Sequence, residues 1–148
     1  MLRFMLSVFA CGLVFTSSGC KPKSDSGDRT VQQNAQLGDP WAQRTLGIWY
    51  EHGINGQPKD TFQAAQWYRK AADQNDAEAQ YQLAWLYKIG DGVPKDTVSA
   101  HAWFSIAAAQ KIEHAQTNME DMEKIMTPDQ KAEAMKLARE LFEKMAKK

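Results

Sequence analysis

Cysteine is almost missing from this chain. Of its 148 residues only Cys11 and Cys20 carry a thiol, and both fall within the first twenty. A pair placed there cannot form the disulfide framework of a small secreted domain, so whatever follows must hold together by packing alone. An excess of one charge is lacking too, since 18 Lys and Arg face 18 Asp and Glu. With no basic run and no basic stripe between aromatics, no nucleic-acid partner is expected. The five prolines sit in a polar linker, in turns or at helix starts, where a missing N–H breaks nothing. No segment alternates apolar and polar residues long enough to argue for a strand, so the fold class is all-α. A mean hydropathy of -0.57 excludes a polytopic membrane protein. The length allows at most one ordinary domain, and an apolar share of 43% is ample for its core.

The one long apolar run is "FMLSVFACGLVF" at 4–15, preceded by Arg3. It is shorter than the roughly 20 residues that cross a bilayer and has the layout of an export signal. It ends in "TSSGC", which resembles a bacterial lipoprotein cleavage site with Cys20 as the acylated first residue. Ser17 departs from that pattern, which usually has Leu there; a plain secretory signal is the alternative. Residues 1–19 are thus read as signal peptide and 20–31 as a flexible tether, "KPKSDSGDRT" having the composition of one. Lys21 after the Cys resembles lipoproteins sent on to the outer membrane. The expected location is a lipid anchor in that membrane, facing the periplasm.

The rest of the chain repeats itself. Asp60 and Asp96, Ala64 and Ala100, Trp67 and Trp103, and the alanine pairs 71–72 and 107–108 all stand 36 positions apart. Upstream, Ala42-Gln43 matches Ala79-Gln80, Leu46 matches Leu83, Tyr50 matches Tyr87 and Gly53 matches Gly90, each at 37. The extra residue falls in the turn, "GINGQP" against "GDGVP", where helical hairpins tolerate insertions. Each unit reads as two helices. Asp39-Pro40 starts the first helix, and Leu46, Trp49 and Tyr50 keep helical spacing up to a glycine stop. Asp60 starts the second, in which Ala64, Trp67, Tyr68, Ala71 and Ala72 form one apolar stripe. The units are placed at about 39–74 and 76–110.

The pattern "A-Q-x-x-L-[GA]-x-x-Y-x-x-G" followed by "P-K-D-x-x-x-A-x-x-W-[YF]-x-x-A-A" resembles the Sel1-like repeat family, relatives of tetratricopeptide arrays. The resemblance covers roughly residues 32–148. It implies a short right-handed α/α solenoid of two helical hairpins with a C-terminal capping helix pair, acting as an adaptor between proteins. Cysteine-rich members staple their helix pairs with disulfides; this chain cannot, so activities suggested for them do not carry over.

Positions within the motif have physical readings. Gly47 and Ala84 are small so that a neighbouring helix can approach, and Trp67 and Trp103 are expected to be buried between units. A third copy starts at Ala115-Gln116, but Glu120 and Glu123 replace packing residues and must therefore see water. Thr127, Pro128 and Gln130 form a capping box ahead of a last helix striped by Ala134, Ala138, Leu141 and Met145. Residues about 112–146 are therefore expected to be a cap that is charged on its outer side. At the other end Gln32–Leu37 replaces only the end of a helix, so either Trp41 and Trp49 are partly uncovered or the short segment folds down and covers them.

Nothing argues for catalysis, and no catalytic residue, metal or cofactor is expected. His52, His101 and His114 are scattered, His101 being read as surface or half-buried. "GDGVPKD" lacks the remaining features of a P-loop. Function is placed instead where the two units differ on their first helices: Arg44 against Tyr81, Ile48 against Trp85 and Glu51 against Lys88. Arg44, Ile48, Tyr81, Trp85 and Lys88 are the candidate partner-binding residues, on a groove for an envelope protein or peptide. The alternative is an envelope enzyme acting on cell-wall or β-lactam substrates.

Overall fold

A computed structural model describes residues 25–147 of the chain. Its elements are α1 (Asp25–Gln36), α2 (Pro40–His52), α3 (Thr61–Ala72), α4 (Ala77–Ile89), α5 (Thr97–Ala109), α6 (Ala115–Glu123) and α7 (Pro128–Ala146), with no strand among the described residues. Cys20 and the export signal lie outside these residues. So does the first part of the segment read as a tether, but the helix α1 already begins at Asp25, within that segment. Its Val31 and Ala35, one turn apart, pack on Ala42, Leu46 and Trp49 of α2, and this contact gives a short polar helix the tertiary support it needs.

Aspartates fix where the middle helices start. Asp39, Asp60, Asp76 and Asp96 each accept a backbone N–H from the first turn of α2, α3, α4 and α5, a cap worth about 1 kcal/mol. Gly53 and Gly90 end α2 and α4 in the left-handed conformation. The two most extensive contacts are α2 with α3 and α4 with α5, and α1–α2, α3–α4 and α5–α6 contacts join the successive pairs. The result is an α/α solenoid. Within the first hairpin Tyr68 is fully buried against Gly47, where an added Cβ would stand 2.6 Å from its ring. Within the second, Phe104 takes the place of Tyr68 and meets Tyr81 and Trp85 edge-on.

A glutamine device recurs at each joint between hairpins. Gln43 donates to the carbonyl of Ala35 and Gln80 to that of Ala72, satisfying the end of the preceding helix. Gln74 donates to Gln43, and Gln110 to Gln80, both at 2.7 Å. In the third copy the device is lost: Gln116 bonds instead to exposed Glu120.

The C-terminal helix pair, α6 and α7, is built differently from the hairpins before it. Ile112 stands where Asp76 caps α4, and α6 starts late, at a His114 that makes no side-chain cap bond. Both α6 and α7 pack on α5 rather than on each other as a hairpin. The capping box of Thr127 and Gln130 is present, and Ala134, Ala138, Leu141 and Met145 face the core. The outer side is not wholly charged, however, because Met135 and Phe142 are each 58% exposed.

Two further expectations need correction, at Trp67 and at His101. Trp103 is 1% exposed, but Trp67 is only half-buried: the guanidinium of Arg69 in α3 lies over Trp103, whereas Trp67 faces the short α1 and has Lys70 over its ring. Of the two alternatives for the first unit, α1 covers Trp49 and leaves Trp41, at 55%, as the uncovered ring of that end. His101 is 2% exposed, because α6 closes over it, and its Nε2 lies 3.1 Å from the Glu123 carboxylate. Glu120 does face water, whereas Glu123 is only half-exposed.

Candidate functional site

The residues that differ between the two first helices are engaged at the joints. Arg44 pairs with Asp76, Nε to Oδ1 at 3.1 Å, and so ties α2 to the residue that caps α4. Ile48 is half-buried against the main core. At the second joint Tyr81, Trp85 and Lys88 come together: both rings meet Phe104 edge-on, and the Lys88 ammonium sits 4.4 Å from the Trp85 centroid. Asn118 of α6 completes the group, accepting from Lys88 at 2.9 Å and donating to the Tyr81 hydroxyl at 3.3 Å. Tyr81, Trp85 and Lys88 thus form one half-buried aromatic and cationic surface; Arg44 and Ile48 belong to the joint before it.

The pairing inside each hairpin explains why Lys88 is available. In the first hairpin the Tyr68 hydroxyl donates to the Glu51 carboxylate at 2.6 Å. Burial, and then that carboxylate, hold the phenol far above its ordinary range, so it stays a donor. The second hairpin has Phe104 in place of the phenol and Lys88 in place of the acid. Among the described residues neither Lys88 nor Lys95 has an ion-pair partner.

Beside Lys88 the second joint opens into a cleft of about 370 Å³. Ile89, Met122 and Ile125 supply its apolar wall, and Lys88, Lys95 and Thr97 its donors. Asp121 also lines it, with its carboxylate held by Lys124 at 2.7 Å; that bond, with the Lys124 charge, keeps Asp121 below the usual carboxylate range. Lys95 is brought in by Gly90, which leaves room for its Cβ over the end of α4. The sequence comparison did not single out Lys95, Thr97 or Asn118. The available signal was position 121, which is Trp85 one unit earlier and a short carboxylate here.

The Sel1 repeat family model matches residues 42–76, 77–111 and 132–148. None of the curated proteins matches the chain. Among solved structures, one similar to it is a protective antigen of uropathogenic Escherichia coli strains displaying an SLR fold, with a TM-score of 0.75 and 37% identity. That match covers 80% of this chain and 26% of the antigen, so the chain spans about a quarter of its length. A Sel1 repeat protein from Oxalobacter formigenes is similar at 39% identity and a TM-score of 0.63, over 66% of this chain and 72% of that one.

Proposed function

The chain belongs to the Sel1 repeat family, whose repeats generally mediate contacts between proteins, and from that premise we propose that it is an envelope-anchored adaptor. The repeat domain presents the Tyr81, Trp85 and Lys88 surface to a protein or peptide, and the lipid on Cys20 keeps it at the membrane. The observation that carries the reading is the difference between equivalent positions. Packing is satisfied by Ile48 in the first hairpin, so the Trp85 ring with an ammonium above it exceeds what packing asks for. Aromatic residues beside cations are enriched at interaction hot spots. An enzyme reading finds less support here, because two ammoniums, a hydroxyl and a carboxylate already held by Lys124 suit anion binding rather than activation of a nucleophile.

The test is capture of partners from native envelope by the wild type, Trp85→Ala and Cys20→Ala. Truncating a hot-spot Trp costs about 2 kcal/mol in binding, roughly thirtyfold in affinity. Trp85→Ala is expected to lose capture while keeping most of its melting temperature. Cys20→Ala is expected to lose fatty-acid labelling and membrane association while still binding once solubilised. Wild-type capture that Trp85→Ala leaves intact would sink the adaptor surface, and an unlabelled, freely soluble wild type would sink the anchor.

A further inference from the structure

The first joint shows how this chain fills the place that is a cleft at the second. There the turn after α4 reaches back onto the start of α3, and Thr61 Oγ1 donates to Asp91 Oδ1 at 2.7 Å. Gly92 presses so close that an added Cβ would stand 2.3 Å from the carbonyl of Thr61. The plug is thus a carboxylate on a threonine, followed by a residue with no side chain.

One unit later the receiving residues recur and the plug does not. Thr97 corresponds to Thr61 and Lys95 to Lys59, while Thr127 and Pro128 stand where Asp91 and Gly92 would. Pro128 starts α7, which runs off along α5, and among the described residues no carboxylate bonds to Thr97 as Asp91 bonds to Thr61. Meanwhile Glu51 of the first unit has become Lys88, so the vacated place carries two ammoniums, while the carboxylate that lines it, Asp121, is bonded to Lys124. Its apolar wall is also open at the edge, where Ile89 and Ile125 are 55% and 73% exposed.

We infer that the cleft between Lys88, Lys95, Thr97 and Ile125 receives an aspartate-bearing turn of a partner protein, seated as Asp91 and Gly92 are seated on Thr61. The carboxylate lies between Thr97 Oγ1 and the two lysines, so the threonine bond seen at Asp91 is kept and ammonium donors are added to it. The small residue after it passes over the start of α5, and a following apolar side chain meets Met122 and Ile125. This rests on the adaptor reading and specifies the chemistry of the partner, with Lys88 shared between the aromatic surface and the cleft.

The probe is the chain's own plug as a peptide, acetyl-Gly-Asp-Gly-Val-amide, added to full-length isotope-labelled protein and followed by NMR. Shifts are expected at Thr97, Met122 and Ile125. Binding is expected to weaken about tenfold when Asn replaces the Asp of the peptide, or when the protein carries Lys95→Glu. Lys95 is exposed, and an unchanged, well-dispersed spectrum verifies that the variant folds. No shifts at the cleft, equal binding of the Asn peptide, or full binding by Lys95→Glu would each overturn the proposal. The adaptor reading has its own readout: envelope capture that depends on Trp85 but ignores Lys95→Glu leaves that reading standing and removes the cleft from it.

Discussion

The two hairpins share a pattern, yet the tryptophan that each turns toward its predecessor has a different surrounding. Trp103 lies under Arg69 of a complete α3, while Trp67 looks onto α1, whose apolar contacts among the described residues are Val31 and Ala35. The same contrast runs through the neighbouring positions. Tyr68 requires glycine across from it, where Phe104 tolerates Ala84. The first joint is fastened by an ion pair, Arg44 to Asp76; the second has Tyr81 and Ile112 at the corresponding positions. Equivalent places in a repeat therefore differ in energy according to what precedes and follows them.

Trp103→Ala is expected to cost about 3–5 kcal/mol, as for a fully buried aromatic. Trp67→Ala should cost about 1–2 kcal/mol, because less surface leaves water when it folds. Urea melts of the two variants measure the gap; equal losses would mean that α1 covers Trp67 as well as α3 covers Trp103. A domain holds about 5–15 kcal/mol in all, so Trp103→Ala is also the variant expected to melt near room temperature. Next in size is Gly47→Ala, in which the new methyl meets the Tyr68 ring; strain of that kind costs about 1–3 kcal/mol. The reverse exchange, Ala84→Gly, should cost about 1 kcal/mol through helix propensity alone. If Gly47→Ala were stabilising, the contact with Tyr68 would have to be looser in solution than the structure has it. Arg44→Ala should show the smallest effect, under about 1 kcal/mol and shrinking further in high salt, as for a partly exposed ion pair. A loss that does not change with salt would mean that the Arg44 stem, not its charge, fastens the joint.

The helices were legible because their signals are local. Asp39, Asp60 and Asp96 cap where their position before an apolar stripe says they should, and the Thr127 capping box was readable residue by residue. Burial was legible only where both neighbours of a unit are present, as at Trp103. It was misread at Trp67 and left open at Trp49, whose exposure depends on how much helix α1 provides, and misread at His101, which α6 covers although nothing in its own helix requires it. The aromatic and cationic surface could be found by subtracting one unit from the other. The cleft could not, because it arises from a missing plug: Thr127 and Pro128 look like an ordinary helix start until their register against Asp91 and Gly92 is set beside the contact those two residues make.

Gly92 also fixes how the array curves. Its backbone lies against the carbonyl of Thr61 with no space for a methyl group, so this contact acts as a stop that sets the angle between successive hairpins. Any side chain there would wedge the joint open at that edge and swing everything from α4 onward relative to α2 and α3. Gly56, in the longer turn of the first hairpin, has nothing within 4 Å of an added Cβ and has no such leverage. The bend of the array, and with it the spacing between Arg44 at one joint and Lys88 at the next, is thus gauged by the side chain that a single turn residue lacks.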